Sequence, residues 1–335
     1  MWRETTQHER NRRMFHEEFD GFLPDAVFDF HVHLMNRGVI PGGKTYSCAG
    51  HALTHYDMDD LLHDLPAVYP GRHTGAVCFG FPNVRYVHAA NNAYVARVCD
   101  RERFFPFRLI DPHEPDHAAV RDDIVRNRFS GVKPYPGYAR TKDINDVEIH
   151  DMLPPWVMEI ANDMGLIVML HIPRKQRLAD PLNQRQIVEL CTLYPRAKIV
   201  LAHVGRAYYL KNVLGNLDRL KTLPNLYYDL AMVSNWEVLE HVFATVPRGR
   251  ILYGTDTPIA LAPGTSVEIN DQYTYVTPVP WELSIHDVHH KLVFTSFLYE
   301  GLRAIRKAVT RLSLDDRFVR DVFYENAISL LTTAP

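Results

Sequence analysis

The sequence predicts an α/β protein, a (β/α)8 or TIM barrel, on three observations. Eight short apolar, β-branched or aromatic runs read as buried strands. Helix-like stretches alternate with most of them. The seven units between His33 and Asp256 average about 32 residues, the size of a strand–helix repeat. A doubly wound open sheet is the competing architecture. It is weakened because no run is followed by a Gly-rich phosphate loop of the G-x-G-x-x-G kind. No self-similar sequence repeat is present.

Taken in order, residues 1–25 form an N-terminal extension with one expected helix. The first run, Ala26–His33 (AVFDFHVH), precedes a long insert at 34–74 carrying His51, His55, His63 and His73. The second run, Gly75–Phe81, leads to a helix over Asn92–Asp100. The third, Phe104–Ile110, leads to one over His117–Arg128. The fourth run is Gly131–Tyr135. A helix over Trp156–Met164 precedes the fifth, Leu166–Ile172. Leu182–Tyr194 follows as a helix, then the sixth run, Ala197–Val204. Tyr209–Leu220 is the next expected helix, before the seventh run, Leu226–Ala231. Trp236–Val246 leads to the eighth, Arg250–Thr255.

A second insert, 257–285, is rich in Pro, Thr and Tyr and reads as a long loop. Asp287–Val309 and Leu314–Leu331 read as closing helices. Loops this long in a compact domain are usually functional. Both inserts leave from strand C-terminal ends, the face where a barrel carries its site. No linker divides the chain, so residues 1–335 are expected to form a single domain.

Composition narrows the function. Hydrophobic residues are 46% and charged residues 23%, ordinary for a globular chain. Lys plus Arg is 37 against 40 for Asp plus Glu, a net charge of −3, which argues against nucleic-acid binding through bulk charge. No apolar run approaches membrane-spanning length. The start, Met1–Arg13, is dense in charge and lacks the apolar region of a secretory signal. Cys48, Cys78, Cys99 and Cys191 form no C-x-x-C pair, so zinc-finger and disulfide frameworks fail on spacing. A cytoplasmic protein with reduced thiols is the expectation. A small-molecule substrate is the expected partner, and a homodimer the default assembly. Eighteen histidines are many for this length.

Their positions carry the chemistry. The first run ends in His31-Val32-His33, and residues two apart on a strand share a face. Asp29 is in phase with the pair. The fifth run ends in His171, the sixth in His203 and the eighth in Asp256, each closing an apolar strand. A barrel gathers these ends around one mouth. Four imidazoles and a carboxylate brought together without a partner are costly. A divalent cation removes that cost. Zn²⁺ suits His and Asp ligands best, ahead of Mn²⁺, Fe²⁺ or Co²⁺.

Lys133 ends the fourth run. It either becomes carbamylated and bridges two metals or stays an ammonium that holds a substrate carboxylate; a head snorkelling to solvent is the plain alternative. Arg108, Arg174 and Arg206 are candidate anion holders, although arginines after strands are commonly surface residues. Tyr135 and Tyr138 are candidate pocket walls, with aromatic packing as the default. There is no G-x-S-x-G elbow, P-loop or H-E-x-x-H, and no nucleotide or organic cofactor is expected.

The set Asp29-Phe30-His31-Val32-His33, Gly131-Val132-Lys133, His171, His203-Val204-Gly205, Gly254-Thr255-Asp256-Thr257-Pro258 and the tail Tyr324–Leu331 resembles the amidohydrolase superfamily. It is most similar to the amidohydrolase-related branch, with its hydrolases, lactonases, hydratases and aminocarboxymuconate-semialdehyde decarboxylase-like enzymes. The resemblance runs from about residue 26 to 331. It implies that His31, His33, His171 and Asp256 bind a metal, one ion or two if Lys133 is carbamylated. It implies that His203 binds a second metal or contacts water and substrate. Both inserts match no pattern of that family and are expected to set the substrate.

The leading expectation is metal-assisted hydrolysis of a small amide, lactone or related carbonyl compound. Asp256 would act as proton acceptor, and His203 would polarise the carbonyl. The alternative is decarboxylation of a small carboxylic acid at a mononuclear site. A non-catalytic metal-binding protein on the same barrel is the third.

Overall fold

The computed structural model describes residues 5–40, 42, 44–83, 88–140 and 143–333. Residues 1–4 of the N-terminal extension and 41 and 43 of the first insert lie outside these. Eight strands form the centre: β1 (Ala26–Leu34), β2 (His73–Gly80), β3 (Phe104–Leu109), β4 (Gly131–Lys133), β5 (Ile167–Leu170), β6 (Lys198–Leu201), β7 (Leu226–Asp229) and β8 (Ile251–Leu252). Each pairs in parallel with the next in sequence. The last meets the first: Phe30 N donates to Tyr253 O at 2.9 Å, Asp256 N to His31 O at 2.9 Å and His33 N to Thr257 O at 2.7 Å. The expected (β/α)8 barrel is therefore present, with the ring closed through the segment that follows β8.

Alternation along the strands fills the ring. Phe28, Phe30, Val77, Phe79, Phe107, Ile167, Met169, Val200 and Leu252 form the buried interior. Gly131 is forced by that packing, since a Cβ there would sit 2.5 Å from Ile167 O and 2.8 Å from the Phe107 ring. The opposite faces pack under helices α1 (Thr5–Met14), α2 (Met58–Val68), α3 (His88–Val98), α4 (His117–Arg126), α5 (Pro155–Met164), α6 (Pro181–Leu193), α7 (Trp236–Thr245) and α8 (Phe297–Arg311). Side-chain caps set several helix starts. Asp57, Asp116, Asp180, Asn235 and Ser296 each accept from backbone N–H groups of the first turn.

Two helical expectations need correction. The stretch Tyr209–Leu220 is not one helix but short turns at Leu210–Asn212 and Leu220–Thr222. Gly215 has φ +72, and the Asn216 amide donates to the Asn212 carbonyl at 3.1 Å, so side-chain bonding competes with the helical ladder. The closing helix begins at Phe297 rather than Asp287, because Ser296 caps it. The second closing helix runs through Asp316–Thr332 in three joined segments.

The inserts also differ from plain loops. The first holds a hairpin, Tyr46–Cys48 with His51–Leu53, and α2. The second was expected as a loop but forms a three-stranded sheet: β9 (Thr265–Ile269), β10 (Gln272–Thr277) and β11 (Ser284–His286). Asn270 and Asp271 both have positive φ, 50° and 57°, which matches a two-residue hairpin turn. Alternating Thr, Val and Tyr supply the strands. The hairpin of the first insert meets the second insert at Gly50, whose φ is +87 and whose Cβ would lie 2.5 Å from Pro280 O. Among the described residues no helix is long and apolar enough to cross a membrane.

Candidate active site

Three site residues reach the mouth by simple alternation. Lys133 follows Gly131 by two, His171 follows Ile167 and Met169, and Asp256 follows Leu252 and Gly254. The other three, on two strands, need a break in the period. On β1 the register shifts between Asp29 and Val32. This bulge lets Phe28 and Phe30 fill the interior while His31 and His33 also face inward, both against the Phe79 ring. On β6, Val200 and Ala202 face inward. His203 then takes φ +57, followed by Val204, Gly205 and Arg206 at φ +52, +67 and +59. Each non-glycine residue in that region costs about 1–2 kcal/mol, and Asp256 shares the same strain at φ +75.

The bulge corrects one expectation. Asp29 is not on the face of the histidine pair. It turns outward, accepting from His31 N at 3.0 Å, Thr255 N at 2.9 Å and Thr255 Oγ1 at 2.5 Å. It ties β1 to the segment after β8. Burial raises its carboxyl to about 7 against the pull of these bonds.

The inward groups converge. One ligand atom each of His31, His203 and Asp256 lie within 4.8 Å of one another. His33 Nε2 is 3.0 Å and His31 Nε2 3.5 Å from Asp256 Oδ1. The His171 and His203 rings are 5.3 Å apart, and the His31 and His203 rings 4.9 Å. Lys133 is fully buried, its Nζ 3.5 Å from His31 Nε2 and 4.9 Å from the centre of the Phe79 ring. These groups face a cavity of about 230 Å³ walled also by Tyr135, Arg206, Tyr208, Tyr273, Tyr275 and Trp281.

The outer ring atoms explain the orientation. His31 Nδ1 meets Asp229 Oδ2 at 2.8 Å, His33 Nδ1 meets the Gly80 carbonyl at 3.2 Å, and His203 Nδ1 meets the Ala231 carbonyl at 2.9 Å. Carbonyls and carboxylates only accept, so each Nδ1 carries the hydrogen. In the neutral ring each Nε2 is then a bare lone pair. Burial lowers the His31, His171 and His203 imidazoles, which favours that neutral form. Burial raises the Asp256 carboxyl, and only positive charge on His31 and His203 with a hydrogen bond from His33 brings it down to about 2; neutral rings supply none of this, so the compensating charge must come from elsewhere in the site. Lone pairs thus face a carboxylate with no proton between them. His171 Nδ1 is buried without a hydrogen-bond partner. This donor set fits a divalent cation, with imidazole and carboxylate ligands and outer partners that fix each ring.

Asp229 is the residue that sequence reasoning missed. It is fully buried, and besides His31 it accepts from His203 N at 2.9 Å and Ala231 N at 3.0 Å. Its signal was a lone acid inside the run Leu226–Ala231, in phase with Tyr227.

The arginines separate. Arg206 lines the cavity and donates to Ile172 O at 3.2 Å. Arg108 alternates to the outside and pairs with Asp123 at 2.7 Å and Glu114 at 2.8 Å. Arg174 pairs with Asp180 at 3.0 Å, away from the cavity walls. Tyr135 packs tilted against His171, with ring centres 4.8 Å apart. Tyr138 packs by His88 instead.

The amidohydrolase sequence profile matches residues 28–332. The chain belongs to the amidohydrolase family. No curated protein matches the sequence. Among solved structures, an amidohydrolase from Burkholderia multivorans with bound zinc is similar at 12% identity and a TM-score of 0.58, over 92% of this chain and 100% of that one. The 5-carboxyvanillate decarboxylase of Sphingomonas paucimobilis is similar at 14% identity and a TM-score of 0.54, over 92% and 99%. The 2,6-dihydroxybenzoate decarboxylase of Rhizobium is similar at 12% and 0.55, over 93% and 100%. At these identities the likeness carries the fold. As an amidohydrolase-family member the chain is an enzyme of the amidohydrolase kind.

Proposed function

We propose that this amidohydrolase is a metal-dependent hydrolase of a small amide, lactone or related carbonyl compound. The carrying observation is Asp256: a carboxylate at the strand end, 19% exposed to the cavity and facing the bare Nε2 atoms of His31 and His33. His31, His33, His171 and Asp256 would hold the ion, with zinc the first choice for such ligands. His203 joins them, because its hydrogen is committed to the Ala231 carbonyl and its Nε2 is free to ligate. When bound, the cation supplies Lewis acidity that makes water more acidic and polarises a carbonyl.

The chain supplies the rest. Asp256 accepts the proton of the attacking water at a carboxylate oxygen and returns it to the leaving group. Asp229 keeps the His31 ring oriented. The Lys133 ammonium faces the developing negative charge; burial lowers its pKa to about 8 against the pull of Asp229 and Asp256. Aromatic walls exclude water from the cavity.

Decarboxylation is the second reading, favoured by two cations, Lys133 and Arg206, that both line the cavity. The test is a zinc-loaded assay on a panel of lactones, aryl esters and aromatic acids. Hydrolysis lost in Asp256→Asn supports the proposal. Carbon dioxide release with no hydrolysis overturns it in favour of the second reading.

A further inference from the structure

We infer that the groove between the two inserts is a second subsite, which takes a neutral polyhydroxylated group attached to the reacting head of the substrate. The inference rests on the hydrolytic reading of the inner cavity. The groove encloses about 770 Å³ and shares Tyr46 and Trp281 with the inner cavity of about 230 Å³. Ligand pockets commonly hold about 300–1,000 Å³. The inner cavity alone falls short of that range, and the groove continues it.

The walls define the chemistry. Trp281 and Tyr46 present flat apolar faces at the junction. Each is held by a ring behind it: Trp281 by Tyr275 at 5.0 Å and Tyr46 by Phe81 at 4.2 Å. The rest of the lining is largely polar, with Lys44, Thr45, Ser47, Glu282, Ser284 and His286. Among the described residues neither Lys44 nor Glu282 forms an ion pair. An anionic group would meet Glu282, and a cationic one Lys44. A ring of hydroxyls satisfies both, accepting from the ammonium and donating to the carboxylate. The apolar face of such a ring lies against the aromatic pair. Contact between Gly50 and Pro280 fixes the two inserts against each other, so the groove is pre-formed.

The test is calorimetric titration of the full-length, metal-loaded protein with phenyl β-D-glucopyranoside, phenol and phenyl β-D-glucuronide. The glucoside lacks the reacting carbonyl, so binding is read apart from turnover; wild-type hydrolysis of phenyl acetate checks the inner reaction separately. We expect the glucoside to bind about tenfold more tightly than phenol, two hydrogen bonds' worth. The Lys44→Ala/Glu282→Ala double variant should bring that ratio close to one, with phenol binding as its folding control. A glucoside no tighter than phenol, a ratio untouched by the substitutions, or a tighter glucuronide overturns the subsite.

Discussion

His33 Nε2 and Asp256 Oδ1 lie 3.0 Å apart, while the other nitrogen of the same ring meets the Gly80 carbonyl. In a neutral imidazole this sets a lone pair against a carboxylate, and a cation between them resolves the conflict. Chelator dialysis should therefore abolish activity, and zinc should restore it. Elemental analysis of protein purified without chelator should give about one ion per chain. About two ions would instead assign Lys133 to a carbamate bridge.

Asp256→Asn keeps the size of the side chain but removes the proton acceptor. Turnover should fall by about 10²–10⁴, with the far-ultraviolet dichroism of the wild type. Activity within a few-fold of the wild type would remove Asp256 from the reaction.

Asp229 sits behind His31 and does not itself line the cavity. Asp229→Asn should weaken zinc affinity by about ten- to a hundredfold. Competition against a chromogenic chelator reads this directly. An unchanged affinity would leave Asp229 a purely structural residue.

Inside the ring, Gly131 has no room for a methyl group. Gly131→Ala should destabilise the fold by roughly 1–3 kcal/mol, seen as a lower urea midpoint. An unchanged midpoint would mean that β4 and Phe107 can shift.

At the surface, Glu18 meets Arg303 of α8 at 2.9 Å. That hydrogen bond, working against partial burial, holds the Glu18 carboxyl below its ordinary 4.5. The stabilising effect is present above the unfolded value and is lost as pH falls through the lowered folded one. Solvent screening keeps it small. Arg303→Ala should lower the thermal midpoint slightly at pH 7 and narrow its gap from the wild type toward pH 3.

Periodicity made much of this legible. The eight strands, and Lys133, His171 and Asp256 at or just past their ends, follow an alternation that sequence displays. His31 and His203 face inward for reasons that alternation cannot reveal: a bulge in one strand and a left-handed turn after another. The same bulge sends Asp29 outward. Asp229 escaped notice because a single acid inside a run has no pattern to mark it. The strands β9–β11 were hidden in a segment read by its prolines, although Asn270-Asp271 between alternating residues was the available sign. Arg108 was separable by alternation, since it follows inward-facing Phe107, whereas Arg174 and Arg206 separate only through their packing.

Ring closure has a consequence for how the chain matures. Thr255 bonds Asp29 across 226 residues, and the neighbouring backbone bonds join His31 and His33 to Asp256 and Thr257. During synthesis the imidazoles of β1, β5 and β6 emerge long before the acid that completes them. A nascent or truncated chain ending before β8 therefore has no seam and no full set of ligands. With the metal site proposed above, cation capture would be tied to the last barrel strand docking on the first, and bound ion would in turn hold that seam shut.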